Sequence, residues 1–278
     1  MNAAKITRAS KSNLALAFVA LGRVRRNDIT IFYAFCRVID DIADSTEATF
    51  EQKAAELRTW RRWIRESSPG EPELAGDLRG LYTKYAITPS MYDEIIDGVE
   101  MDLGRVRYHT FEDLRLYCYR VASAVGLVSI AIFGYRNPAC RDYAIQLGLA
   151  LQMTNIIRDV GKDLDDGRIY LPQEDLDRFA YSEADLRARR HNDAFVRLMK
   201  FESDRAEEFF SRAAAALPRE DRRSMVAAEI MSSVYHALLR RMKADRFRVF
   251  DKQYKLSKIE KSGRVAGQLL RLCLNARR

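Results

Sequence analysis

Tyr33-Ala34-Phe35-Cys36-Arg37-Val38-Ile39-Asp40-Asp41-Ile42-Ala43-Asp44 and, over a hundred residues further on, Gln152-Met153-Thr154-Asn155-Ile156-Ile157-Arg158-Asp159-Val160-Gly161-Lys162-Asp163 are the two stretches that decide how this chain is read. Both are acid-rich, yet both fall inside runs that otherwise read as buried helix. Four residues advance an α-helix by slightly more than one turn, so Asp40 and Asp44 share a face. By the same spacing Asn155, Asp159 and Asp163 form a ladder, which Gln152 extends by nearly one turn. Crowding ionised carboxylates on an apolar face is unfavourable by several kcal/mol per charge unless cations or hydrogen bonds compensate. Acids at a helix C-terminus also oppose the macrodipole. The bland alternatives are surface acids at a helix end for the first cluster and a salt-bridged exposed face through Arg158 for the second. Leu151, Ile156 and Ile157 leave little polar surface for the latter. Hard oxygen donors suit Mg²⁺, which takes one or two carboxylates, several waters and substrate phosphate oxygens. The pattern points to an enzyme that ionises a diphosphate.

The 278 residues are 47% hydrophobic and 31% charged, a globular composition long enough to bury a sizeable core. No Gly/Ser/Pro-rich linker, composition break or internal repeat divides the chain, so a single domain over 1–278 is expected. Cys36, Cys118, Cys140 and Cys273 are too scattered for a zinc site, which favours a reduced, cytoplasmic protein. There is no signal-peptide core, and the longest apolar run, 121–133, falls short of the roughly 20 residues of a membrane span. It reads as a buried helix. A formal charge of +8 fits nucleic acid, an anionic membrane or an anionic substrate. Nucleic acid is disfavoured because the acidic ladders would repel its phosphates. Much of the positive charge is C-terminal: Lys252, Lys255, Lys258, Lys261, Arg264, Arg271, Arg277 and Arg278, with Leu269, Leu270, Leu272 and Leu274 interleaved. That pattern reads either as a solvated terminal helix or as peripheral membrane contact, at the inner face for a cytoplasmic protein.

The six prolines fall at joints, and the segments between them have helical periodicity without sustained alternation of period two. Helices are expected near 10–21, 27–44, 47–66, 72–86, 90–104, 111–133, 138–165, 183–216, 218–246 and 256–275, an all-α domain. Ser90 with Asp93, Thr110 with Asp113, and Ser182 with Asp185 are placed as helix-start signals. Antiparallel packing of the two long acid-bearing helices would bring their ends together across a central cavity.

With Gly167-Arg168-Ile169-Tyr170-Leu171-Pro172 after the second motif, and Tyr117-Cys118-Tyr119-Arg120-Val121-Ala122-Ser123-Ala124-Val125-Gly126 between the two, the chain resembles the squalene/phytoene synthase family of head-to-head prenyl transferases over nearly its whole length. The resemblance implies an all-α isoprenoid-synthase-like bundle around a central cavity, Mg²⁺, and two allylic prenyl diphosphates as substrates. It implies that Asp40, Asp44, Asn155, Asp159 and Asp163 hold the metal, and that Arg37 and Arg158 neutralise phosphate charge, as bidentate donors do well. Lys11 and Ser12 match the family's N-terminal diphosphate-contacting element. Tyr235 and Lys252 match its C-terminal Tyr and basic residue less closely. Tyr33, Tyr117, Phe35, Ala122, Val125, Gly126 and Gln152 are expected along the prenyl channel, Tyr117 among the catalytic groups; ordinary core packing is the alternative for each.

Three positions depart from the family pattern. Lys162 stands where an acid is common, and Asn13 and Ala17 replace aromatics. Lys162 is expected to weaken metal attraction or to aid phosphate binding. The implied reaction joins two substrates through a cyclopropyl diphosphate. A second ionisation is then quenched by hydride, proton loss or water, so NADPH stays open as a reductant although no dinucleotide fingerprint is present. Farnesyl diphosphate with a C30 product is the favoured expectation. Geranylgeranyl diphosphate to phytoene is the alternative, and a non-catalytic assembly protein on the same fold is a third. Head-to-tail elongation and terpene cyclisation also use Asp-rich helices, but the Asn155–Asp163 stretch and Gly167–Pro172 argue against them.

Overall fold

The structure is a computed structural model describing residues 18–104 and 107–275. Helix supplies all the regular structure among these residues, as the periodicity predicts. A 3-10 turn, Phe18–Ala20, leads into α1 (Arg23–Asp44), followed by α2 (Phe50–Trp63), α3 (Glu73–Tyr85) and α4 (Pro89–Glu100). Next come α5 (Phe111–Phe133) and α6 (Cys140–Asp165), then the short α7 (Gln173–Arg178) and α8 (Glu183–Arg187). The chain closes with α9 (Asp193–Ala216), α10 (Val226–Ala244) and α11 (Lys258–Asn275).

α5 is the apolar centre, packed against α1, α4 and α6. By length and composition alone it would also pass for a membrane crossing. Its place among other helices instead explains why apolar residues occupy so much of its circumference. It starts at a capping box in which the Thr110 hydroxyl accepts from the Asp113 amide at 3.2 Å and the Asp113 carboxylate accepts from the Thr110 amide at 3.1 Å. It stops at Gly134, whose φ of 82° suits glycine. In between, Tyr119–Ser123 widens into one π-turn. The backbone there is approached from both sides. A Cβ on Gly98 of α4 would lie 2.7 Å from the Arg120 Cβ, and one on Gly148 of α6 would lie 2.5 Å from the Ser123 Cα. The Ser123 hydroxyl donates to the Ile145 carbonyl at 2.8 Å, which satisfies that buried polar group.

Several expected boundaries move. The single helix expected over 183–216 is broken: α8 ends, Arg189 adopts φ 52°, and α9 restarts at Asn192, whose side chain accepts from the Phe195 amide at 2.9 Å. The segment expected from 218 opens as a 3-10 turn, Arg219–Asp221, before α10. Buried Asp221 accepts from the Arg136 and Asn137 amides at 2.8 and 2.9 Å, tying this turn to the loop between α5 and α6. Ser90 is not the cap of α4. Thr88 is, with Pro89 at the first helical position, and Asp93 instead receives Arg61 at 3.2 Å and Arg65. Most of the helix expected at 10–21 lies outside the described residues.

The glycine contacts predict opposite outcomes for one substitution. Gly148→Ala should destabilise by about 1–3 kcal/mol or more, because backbone rather than a movable side-chain end blocks the methyl. Gly80→Ala, in exposed mid-helix with nothing within 4 Å, should stabilise by roughly 0.5–1 kcal/mol. Urea unfolding of both variants beside the parent checks the pair.

Candidate active site

α1 buries Phe32, Phe35, Ile39 and Ile42 and so turns its remaining face, with Asp40 and Asp44, away from the core. Phe35 was expected along the channel. It is instead fully buried, edge-on to Trp60 at 5.8 Å and Tyr92 at 5.2 Å, as part of the seat of the helix. Arg37, expected at phosphate, pairs with Asp41 one turn on. Burial, opposed by Arg37 and reinforced by the charges of Asp44, Asp41 and Asp102, pushes the Asp40 carboxyl up to about 7.

α6 buries Met153, Ile156, Ile157 and Val160, which leaves the polar ladder on the other side. Arg158 forks onto Asp159, Nε to Oδ1 at 2.9 Å and Nη2 to Oδ2 at 2.5 Å. Tyr235 of α10 sets its hydroxyl against Arg158 and Asn155, and burial keeps it protonated. The Asn155 amide nitrogen donates to Gln152 Oε1 at 3.3 Å. Its Oδ1 is buried with no partner among the described residues, an acceptor aligned with the ladder and still unused. Burial and neighbouring Asp159 push Asp163 up to about 7, against Lys162 and Arg168.

The clusters meet through Arg168, just beyond α6. Its guanidinium reaches the Asp44 carboxylate at 3.1 Å, and its amide donates to the Asp163 carbonyl at 2.7 Å. Burial works against its charge, but Tyr170, Asp102 and Asp44 hold it protonated. Both acid clusters sit near helix C-termini, and Arg168 joins these two ends at one mouth.

Asp102, beyond the end of α4, has no motif around it and was not anticipated. It accepts from the Tyr117 hydroxyl at 2.7 Å and the Tyr170 hydroxyl at 2.8 Å, and burial raises its pKa against these two donors. Tyr117 and Tyr170 stack with ring centres 5.2 Å apart, and Tyr108 lies 5.6 Å from Tyr117. No spacing rule links residues 102, 117 and 170; only the repeated pairing of aromatic hydroxyls with a lone acid would have been a signal. Tyr33 is half-buried, edge-on to Phe18 at 6.3 Å. Gly126 adds no volume for a chain: a Cβ there would lie 3.1 Å from the Ala144 carbonyl, so its role is close approach of α5 to α6. Ala122 and Val125 are partly buried on the same helix. Lys11, Ser12, Asn13 and Ala17 lie outside the described residues.

Beside the ladder, a groove of about 730 Å³ is lined by Arg158, Asp159, Lys162, Tyr235, Lys252 and Tyr254, with Arg189, Lys255 and Lys261 further along it. It brings together Arg158, Asp159 and Lys162 of the α6 motif and the two C-terminal residues expected at phosphate, Tyr235 and Lys252. Lys252 is held there by Asp245 at 2.5 Å and stands 5.1 Å from the Tyr254 ring centre. The strand of loop carrying it rests on Gly161, where a Cβ would come within 2.6 Å of the Val249 carbonyl.

As a metal site the donor set is all oxygen and incomplete by itself. Among the described residues no three His, Cys, Asp or Glu side chains are gathered to hold a metal ion. Two carboxyls near neutrality and one orphaned amide oxygen fit a hard divalent cation whose remaining positions go to water and phosphate.

A family model described as Squalene/phytoene synthase matches residues 7–260. The 15-cis-phytoene synthase of Synechocystis sp. is 37% identical over 246 residues, 82% of this chain and 72% of that protein. The presqualene diphosphate synthase of Rhodopseudomonas palustris is 36% identical over 253 residues, 90% of each. A dehydrosqualene synthase crystal structure in complex with ligand superposes with a TM-score of 0.85 at 25% identity, covering 97% of this chain and 95% of that one. Motif order, helical architecture and these similarities agree: the chain belongs to the squalene/phytoene synthase family, whose members condense prenyl diphosphates head to head.

Proposed function

We propose that this protein condenses two geranylgeranyl diphosphates, through a cyclopropyl diphosphate, to phytoene. The observation that carries the chemistry is the single mouth at which Asp40, Asp44, Asp102, Asp163 and Arg168 converge beside the cationic groove. The C20 substrate rests on similarity to several phytoene synthases, and it displaces the farnesyl diphosphate favoured from the family resemblance. Farnesyl diphosphate with a C30 product is the second reading, favoured by the presqualene diphosphate synthase that matches over 90% of both chains.

Mg²⁺ fits the donors, and Asp40, Asp44, Asn155, Asp159 and Asp163 would hold it, where it would neutralise the leaving diphosphate. Arg158 and Arg168 stay cationic and Tyr235 keeps its proton, so each presents donors to a diphosphate whose charge grows as the C–O bond breaks. Lys252 adds a further charge on exchanging Asp245 for phosphate. Tyr117 and Tyr170 keep their protons on Asp102, and their ring faces favour nearby positive charge through the π quadrupole. Asp102, occupied by two donors, is poorly placed as a base, which leaves the released diphosphate to take the proton. Ending in proton loss, this route needs no NADPH; a squalene outcome would need hydride.

Purified protein incubated with Mg²⁺ and either substrate, with and without NADPH, should give a C40 product from geranylgeranyl diphosphate, independent of NADPH and abolished by EDTA. A C30 product from farnesyl diphosphate alone would replace this reading with the second. No diphosphate release from folded protein would overturn catalysis altogether. Asp40→Ala and Asp159→Ala should each lower turnover on the order of a thousandfold, about 4 kcal/mol of transition-state stabilisation. Lys162→Glu replaces a cation beside Asp163 with an acid, and at pH values well above 7, where Asp163 is ionised, should reduce the Mg²⁺ concentration for half-maximal activity several-fold.

In EDTA, stability should depend on pH in a defined direction. Folded protein keeps protons on Asp40 and Asp163 up to about 7, whereas an unfolded aspartate releases its proton near 4. Between those values the folded state binds more protons, so stability falls as pH rises, by up to roughly 1.4 kcal/mol per pH unit for each group. Asp40→Asn should flatten that decline and melt above the parent at pH 8. Thermal melts across this range check it; parallel curves for parent and variant would refute it.

A further inference from the structure

α11 is held on one half of its circumference. Arg241 pairs with Glu260, Arg264 donates to the Ser233 carbonyl and hydroxyl at 3.1 Å each, and Gln268 reaches the Glu229 carbonyl at 3.4 Å. Val265 packs on the core from the same half. At 100° per residue, Ile259, Ala266 and Leu270 fall within one narrow arc on the opposite half, with Leu269 at its edge. Ile259 is 84% exposed and Leu270 65%; of the large apolar side chains exposed among the described residues, α11 carries more than any other helix.

The apolar ridge is framed by charge of one sign. Exposed Lys258 and exposed Arg271 lie about 100° and 120° to either side of the ridge, where the open half meets the packed half. Glu260, the acid between them in sequence, is turned inward to Arg241. Exposed Lys252 and Lys255 precede the helix, and Lys255 and Lys261 also line the groove beside Asp159. A second copy of the chain is a poor occupant. A two-fold contact would set Lys258 and Arg271 against their own kind without an acid to offset them. An anionic bilayer surface matches both parts of the pattern: its acyl boundary takes the ridge and its headgroups take the flanking cations.

We infer that α11 is a membrane-docking helix that lays the Ile259–Leu270 ridge on a bilayer bearing anionic headgroups. The proposal stands apart from the choice of prenyl substrate and is tested without turnover.

The test is cosedimentation of the full chain with vesicles of phosphatidylcholine alone or mixed with phosphatidylglycerol. Binding is expected to the mixed vesicles only and to weaken with salt. Ile259→Asp combined with Leu270→Asp should lower partitioning about tenfold or more, and Lys258→Gln combined with Arg271→Gln about tenfold. Circular dichroism and thermal melts should match the parent for both pairs, since Ile259 and Leu270 lie opposite the packed half of α11 and Lys258 and Arg271 are exposed. Equal binding by parent and variants, or equal binding to neutral vesicles, would overturn the proposal. So would a parent dimer in analytical ultracentrifugation that the Ile259/Leu270 pair dissociates, which would assign the ridge to a second copy.

Discussion

Negative charge gathered where two helices end is the constraint to which the rest of the structure answers. A helix C-terminus already carries a partial negative charge, and carboxylates placed there add to it. Asp44 closes α1, and Asp159 and Asp163 stand in the last turns of α6. Arg168 supplies part of the compensation and Arg158 another part, but two carboxyls are still driven toward neutrality. The protein holds together a pair of ends that would separate if they were free. What keeps them in place is the apolar packing behind each: Phe35 against Trp60 and Tyr92 for α1, and Ile156, Ile157 and Val160 for α6. Burial stabilises these seats by roughly 1.5–3 kcal/mol per large side chain, enough in sum to outweigh the local repulsion.

This is the usual relation between a folded scaffold and a site poised for ligand, in which the ligand relieves an electrostatic excess that packing maintains. The central helix α5 meets the tightest of this packing. Its π-turn lies where α4 and α6 press closest, and Gly98 and Gly148 make that approach sterically allowed. Two residues before the π-turn on the same helix, Tyr117 reaches Asp102, so the same crowded contact that aligns α5 also aims its aromatic hydroxyl. Asp102 and Arg168 are thus positioned by packing on two different elements and meet only in three dimensions.

Legibility from sequence followed the range of the interaction. Helical class, the long α1 and α6, and the capping boxes at Thr110 and Ser182 depend on neighbours within a few residues, and all were readable. The stripe of Asn155, Asp159 and Asp163 was readable for the same reason. Asp102 was not, because its partners Tyr117 and Tyr170 are 15 and 68 residues away and no period connects them. Phe35 and Gly126 were assigned to a channel and proved to be packing residues, since an apolar side chain or a missing one looks the same in sequence whether it faces a cavity or a helix. The break at Arg189 was missed because the helical pattern runs on through it; only the capping Asn192 marks the restart.

Gly161 lies between the two carboxylates of α6 and offers no functional atom of its own. Its hydrogen is what allows the Val249 carbonyl to rest on the helix, and the segment so seated leads within a few residues to Lys252. Height above the helix at that one point therefore sets how far a distant cation stands from the acids. Sequence drift there would be felt first as altered grip on an anionic substrate, in a protein still folded and still bearing every charged group, so a position that seems empty is among the least exchangeable in the motif.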